Sequence, residues 1–172
     1  MFATPIYVFQ MSSKLRAFFE RMYGRGKSDI KRFSKVNLFF HDVDHETLSK
    51  PFVSIITASN VEKLTTQSTE RFFEAYSAFM DAPQVGSIVR NGWALLRREG
   101  QNELDGKLER ILSDVRLAGH QLAIEGVISR RTEKRIRANA LPLPKPVFDI
   151  LKRIPKAREK ILRSSRRLDD IK

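Results

Sequence analysis

Two short stretches of this 172-residue chain hold residue types that could do chemistry on their own. His41-Asp42-Val43-Asp44-His45-Glu46 sets two imidazoles four positions apart among carboxylates, and a helix would place such a pair on one face as metal ligands. No third ligand follows from the spacing, and the surroundings are polar. A solvated loop is the expectation, and no metal site is assigned. Tyr23-Gly24-Arg25-Gly26-Lys27-Ser28 resembles a phosphate loop only in composition. It lacks the Gly-x-x-x-x-Gly-Lys-Ser/Thr spacing and follows a helical pattern instead of a strand, so it reads as a helix C-cap with basic flanks. His120 reads as structural. With no cysteine in the chain, a disulfide framework, a thiolate-held iron–sulfur cluster and a redox-active thiol are all excluded.

The elements that would have to position any site alternate between strand and helix. Ala3 to Phe9 reads as the end of a strand running into a loop, because Pro5 cannot donate to a ladder. Ser12 or Ser13 then caps a helix with Leu15, Phe18, Phe19 and Met22 on one face, ended by Gly24 and Gly26. Residues 27 to 50 are polar and show no clear element beyond the apolar Val36 to Phe40. Phe52 to Thr57 is apolar at almost every position, as in a parallel strand buried on both faces. A helix over Glu62 to Met80 follows, with Phe72, Phe73, Tyr76, Phe79 and Met80 inward. Next come a short strand over Val85 to Val89 and a long helix over Leu104 to Ile124. That helix has Leu108, Ile111, Leu112, Val115, Ala118 and Leu122 on its buried stripe. This alternation implies an α/β protein, with a parallel sheet covered by helices on both faces.

Charge is unevenly placed. From Arg130 to Lys172 there are 15 Lys and Arg against 5 Asp and Glu, while the whole chain carries +12. The sequence thus divides into residues 1–129, close to neutral, and a basic helical extension over 130–172. The extension comprises a helix over Arg130 to Ala140, an extended proline-rich spacer over Leu141 to Pro146, and an amphipathic segment over Val147 to Leu162 broken at Pro155. Its charge suits an anionic membrane surface, with Val147, Phe148, Ile150, Leu151 and Ile154 dipping in. The favoured reading is a solvated tail packed on the domain or on a second subunit, ahead of a membrane or partner surface. Nucleic acid is the least favoured partner, because no aromatic stacking platform is interleaved with the charge. No apolar run reaches about 18 residues, the length of a membrane span. No basic segment precedes the apolar Met1 to Phe9, so a secretion signal is not indicated and the cytoplasm is the expected compartment.

Taken alone, Tyr7, Phe9 and Met11 are loop and core residues. The run Thr4-Pro5-Ile6-Tyr7-Val8-Phe9-Gln10-Met11-Ser12-Ser13-Lys14-Leu15-Arg16-Ala17-Phe18-Phe19-Glu20-Arg21, however, closely resembles a segment of the NADPH-dependent FMN reductase family, which includes the iron–sulfur flavoproteins. The shared pattern is a Thr/Ser-Pro-x-Tyr loop after the third strand, a Met/Pro-Ser/Gly pair, and a helix reading Leu-Lys-x-Phe-x-Asp/Glu-Arg. Lys50 to Thr57 is similar to the family's fourth strand and Val85 to Trp93 to its fifth, so the resemblance covers residues 1 to about 125. It implies a flavodoxin-like fold and FMN-mediated hydride or electron transfer from NAD(P)H. The flavin carries that chemistry, so no catalytic side chain is required.

By the same resemblance, the isoalloxazine ring would lie against Thr4, Pro5, Ile6, Tyr7, Val8, Phe9 and Met11, with Ala58, Ser59 and Asn60 opposite. A flat, amphipathic ring needs an apolar platform and a few fixed backbone donors and acceptors, which a proline-stiffened turn supplies. This sequence departs from the family in two respects. Bulkier residues replace the glycines common in the second loop. The family's first strands and its Ser/Arg-rich loop, which cradles the FMN phosphate, have no counterpart ahead of Thr4. The expectation is therefore an N-terminally truncated flavodoxin-like sheet, with Met1 to Ala3 as a stub and two full strands. FMN binding would be weak or lost, and the Phe52 to Thr57 strand would lack most of its neighbour. Apolar faces around Phe18, Phe19 and Phe73 would then favour a homo-oligomer or a complementing N-terminal chain. The alternative is a non-catalytic remnant or interaction module working through the basic tail.

Overall fold

Phe52–Ala58 alternates Phe52, Ser54, Ile56 and Ala58 on one side with Val53, Ile55 and Thr57 on the other, and most of these side chains are buried. A strand apolar on both faces must lie inside a sheet that is covered on both sides. The computed structural model, which describes residues 1–93, 102–138 and 144–166, places it there. The strands are β1 (Phe2–Tyr7), β2 (Gln10–Met11), β3 (Lys27–Phe33), β4 (Phe39–Asp42), β5 (Phe52–Ala58) and β6 (Gln84–Asn91). The main sheet has the order β2-β1-β5-β6, and β3 pairs with β4 in a separate antiparallel ribbon. β1, β5 and β6 run parallel, so the protein is mixed α/β with a mostly parallel sheet.

The expected stub is a full strand. β1 continues through Pro5 to Tyr7, with Thr4 beside Ile56 and Pro5 beside Thr57. Proline fits here because its outer side is an edge: β2 pairs only with Ile6 and Tyr7, so a missing N–H costs no ladder bond. β5 is consequently flanked on both sides, and its expected open edge does not exist. Phe19 and Phe73 are buried as well, and only Phe18 of that trio is substantially exposed.

Two packed layers cover the sheet. α1 (Ser13–Tyr23) and α3 (Leu64–Met80) cover one face, where Phe19 and Phe73 join Phe52, Ile56 and Val89 in one core. Phe2 is its hub, with ring centroids 4.9 Å from Phe19, 5.5 Å from Phe52 and 5.9 Å from Phe73. α4 (Asn102–Glu125) and α5 (Arg130–Ile136) bear on the other face through Ala118, Leu122, Ile128 and Ile136, which meet Val53, Ile55, Val85 and Ile88. On α4 only part of the expected stripe is buried: Ala118 is fully enclosed, whereas Leu112 and Val115 are exposed.

Residues 27 to 50, featureless in the sequence, form the β3–β4 ribbon and the single turn α2 (His45–Leu48). The ribbon is anchored to the end of α3. Arg32 Nη2 lies 2.5 Å from Asp81 Oδ2, Lys35 N donates to Asp81 Oδ1, and Phe40 packs on Phe79.

The chain divides into two units, Met1–Ala140 and Leu141–Lys172. This boundary lies beyond the step in charge because α5, though basic, is bound into the first unit. Ile128 N donates to Val85 O at 2.8 Å, and Ser87 N donates to Glu133 Oε1 at 2.6 Å. Arg90 Nη1 donates to the carbonyls of Ile136 (2.9 Å) and Ala138 (2.5 Å). Residues 128–138 therefore strap the outer edge of β6. The second unit holds α6 (Lys145–Leu151) and α7 (Pro155–Arg166), with Pro155 opening α7 where a lost N–H matters least. Of the expected spacer, residues 141–143 lie outside the described residues, Pro144 is extended, and Lys145 and Pro146 already belong to α6. Among the described residues, no helix is long and apolar enough to cross a membrane.

Candidate functional site

Parallel strands deliver their following loops to one end of a sheet, where open α/β proteins collect their ligands. Here Pro5 is level with Thr57, Thr57 with Arg90, and Ala58 with Asn91. The segments after β1, β5 and β6 therefore leave the sheet side by side. They are Val8–Phe9, Ser59–Asn60 and Gly92–Trp93.

The first loop is a two-residue hairpin turn in which both Val8 (φ 46°) and Phe9 (φ 65°) adopt left-handed backbone. Such a turn matches the twist of its flanking strands but normally recruits Asn and Gly. A β-branched valine there is strained, and strain of this kind persists only where the surroundings enforce it. Three contacts enforce it. Ser12 N donates to Thr4 Oγ1 at 2.9 Å, Thr4 Oγ1 donates to Pro5 O at 2.8 Å, and Ser68 Oγ on α3 donates to Phe9 O at 2.5 Å. The result is a rigid tip with Tyr7, Val8 and Phe9 exposed by 64, 87 and 63%.

The second loop is fixed to the third. Gly92 N donates to Asn60 O at 2.9 Å, and Asn91 Nδ2 donates to Glu62 O at 3.0 Å. Glu62 N donates to Asn60 Oδ1 at 2.8 Å, which turns the chain into α3. Gly92, at φ 72°, takes a backbone conformation open to glycine and leaves Trp93 partly exposed beyond it.

The residues expected to contact a ring thus separate into two sets. Pro5, Tyr7, Val8, Phe9, Ser59 and Asn60 are exposed at this edge. Thr4, Met11 and Ala58 are buried, and Ile6 packs against the core, so these four support the edge from below. Met11 in particular turns inward because β2 reverses the chain after the Val8–Phe9 turn. Trp93 was not singled out from the sequence as a site residue. Its signal was a Gly-Trp pair directly after a predicted parallel strand.

The other stretches weighed for chemistry are placed as follows. His41 lies at the end of β4 against the Lys31 amine, while His45 opens α2 with its Nδ1 2.5 Å from Ser49 Oγ. The pair is divided between a strand and a helix and does not share a helical face. Gly24 caps α1 in right-handed geometry and Lys27 begins β3, so that segment forms a helix-to-strand turn. Arg90 is almost fully buried. Desolvation lowers its pKa, and its Nε and Nη2 have no hydrogen-bond partner among the described residues.

A cavity of about 450 Å³ lies between α1, α3 and the segment from β4 to α2, walled by Met11, Phe19, Phe40, Phe72, Phe79 and Met80. Tyr76 also lines it. Its hydroxyl donates to Leu48 O at 3.1 Å, and burial raises its pKa. No family model, curated protein or solved structure matches the chain.

Proposed function

We propose that this chain binds the flavin ring in a flavodoxin-like, FMN-dependent NAD(P)H oxidoreduction. In this reading the isoalloxazine lies across the carboxyl edge of the sheet. Tyr7, Val8 and Phe9 form one side and Ser59 and Asn60 the other, with Trp93 at the margin. The observation that carries the reading is the register of β1 with β5, which brings these two loops to one sheet edge. The rigid, apolar tip supports it further, since a ring bound by stacking gains most from a surface that need not be ordered on binding. Hydride would pass from the nicotinamide to the flavin and onward to a quinone, another flavin or an electron-transfer partner, and the protein's part is to orient and shield the ring.

The test is titration of this chain with riboflavin and with FMN, followed by flavin fluorescence. Ring contacts alone predict weak binding with similar affinities for both, because a phosphate not held by charge-assisted hydrogen bonds adds little. Phe9→Ala and Tyr7→Ala should each weaken both. No binding of either flavin at high micromolar concentration would refute the reading. Sub-micromolar binding of FMN but not riboflavin would refute the ring-only mode.

The second unit supports a second reading, that of an interaction module. Leu141 to Lys172 carries ten Lys and Arg against four Asp and Glu, Val147 and Ile150 are exposed one turn apart on α6, and Ile154 is exposed in the bend that follows it. Such a surface suits an anionic bilayer. Sedimentation with phosphatidylglycerol vesicles, abolished by Ile150→Glu and weakened by salt, would support it. Equal recovery with neutral vesicles, or none with either, would exclude it.

A further inference from the structure

The cavity between α1 and α3 is separate from the sheet edge, and its walls define what it can hold. Its lining is almost wholly apolar, and its volume of about 450 Å³ lies within the range of small-molecule sites, roughly 300–1,000 Å³. Tyr76 is the polar group deep in the wall, and its hydroxyl is already engaged by Leu48 O. A polar ligand buried here would lose its hydration without compensation. The part of any occupant that enters must therefore be hydrocarbon.

Ring geometry narrows the class. A rigid planar ligand large enough to fill the cavity needs flat walls along its length, whether its ring contacts are offset-stacked or edge-to-face. The rings of this wall are instead inclined to one another: 64° for Phe19 and Phe72, 63° for Phe19 and Tyr76, and 54° for Phe40 and Phe79. Rings inclined in this way do not form one flat slot. Met11, Met22 and Met80 line the cavity with them, and thioether side chains adapt to flexible apolar partners. The rim carries Gln10 and the exposed Arg16–Glu20 pair, whose Nε–Oε1 distance is 3.0 Å. Apart from the Tyr76 hydroxyl, engaged by Leu48 O, the polar side chains that line the cavity are these exposed ones.

We infer that this cavity binds a single long aliphatic chain, such as the acyl chain of a fatty acid, with the polar head left at the rim beside Gln10 and Arg16. The decisive position is Ala75. It lines the cavity from an exposed site on α3, so a larger side chain there obstructs the space without disturbing the core.

The experiment uses the full chain and cis-parinaric acid, a fluorescent polyene fatty acid, below its micellar concentration. Saturable binding at one molecule per chain is expected. Displacement by saturated fatty acids should strengthen about three- to fourfold per added methylene until the cavity is filled, then level off. Ala75→Trp, with an unchanged circular dichroism spectrum and melting temperature, should weaken binding at least tenfold. Unsaturable uptake, or equal binding by Ala75→Trp, would overturn the inference. So would tighter binding of a planar aromatic such as anthracene than of any acyl chain. If no acyl chain binds and Ala75→Trp instead dissolves a dimer of the unmodified chain, the groove is an interface between copies, and the inference fails. Because chain length and stoichiometry are read on the unmodified protein, the test stands even if the variant does not fold.

Discussion

The two outer edges of the main sheet are finished in different ways. At β6, residues 128–138 run along the strand and satisfy it with Ile128 N on Val85 O, Glu133 on Ser87 N, and Arg90 reaching back to the end of α5. At β1, only Ile6 and Tyr7 have an outer partner, the two-residue β2. Exposed strand edges are templates for association, and proteins blunt them with covering segments, charges or proline. This sheet uses a cover and a buried guanidinium on one side, and a proline with a tight hairpin on the other. The covered edge depends on a long following segment fitting along the strand, whereas the blunted edge depends on a short turn tied down at Thr4, Ser12 and Ser68. Substitutions that touch only the edge contacts should therefore cost much at β6 and little at β1.

The largest effect is expected at the foot of the strap. Ile136 is fully buried against the sheet, and Ile136→Ala should lower the unfolding free energy by about 2–5 kcal/mol in urea titration. A loss below about 1 kcal/mol would mean that the strap is peripheral. Gly86→Ala comes next. A Cβ at Gly86 would lie 2.5 Å from Ile128 Cδ1 and 3.1 Å from Ile128 Cβ, so the strap itself must move. Overpacking of this kind costs about 1–3 kcal/mol, and the additional substitution Ile128→Val should recover part of it. Glu133→Ala leaves Ser87 N without its acceptor and should cost about 1–2 kcal/mol. A larger fraction of soluble aggregate on sizing columns should accompany that loss.

An alkaline titration separates the two faces further. Tyr76, on the face of α1 and α3, has its pKa raised by burial. The neutral phenol is therefore favoured in the folded state. Its contribution is fully present below the unfolded tyrosine value of about 10 and is lost as pH rises through the folded value. Tyr76→Phe should cost about 0.5–1.5 kcal/mol at neutral pH through the lost bond to Leu48 O. It should also flatten the decline of melting temperature above about pH 10. The smallest change is expected at the β1 edge. Pro5→Ala should alter stability by no more than about 1 kcal/mol, and a larger loss would show that the proline does more than blunt the edge.

What the sequence revealed follows the same division. β5 and the aromatic face of α3 were legible because a continuous apolar run and a 3.6-residue period are local signals. The β3–β4 ribbon was not. Lys27–Phe33 is mostly polar, and it is held by Asp81 and Phe79, which no local pattern links to it. β1 was read too short because proline normally ends a ladder, and only its edge position excuses it. α5 was assigned to the tail because average charge concealed Thr132, Glu133 and Ile136, the residues that bind it to β6. At the candidate site, the shared edge of the loops was expected from the apolar run Phe52 to Ile56 together with the family resemblance, not from the residues alone. The inward turn of Met11 was not, because it depends on two non-glycine residues taking left-handed backbone in succession.

The strap has a consequence in time as well as in space. Ser87 and Glu133 lie 46 residues apart in the chain. At ribosomal rates of roughly 5–20 residues per second, β6 is made roughly 2–9 s before the segment that will cover it. Contacts of such long sequence separation also form late, because loop closure must be paid first. Of the two outer edges, the one better guarded in the finished protein is therefore bare for longer while the chain is being synthesised. During that interval a strand of another nascent chain, or a chaperone, can occupy the place that Ile128 and Glu133 later take.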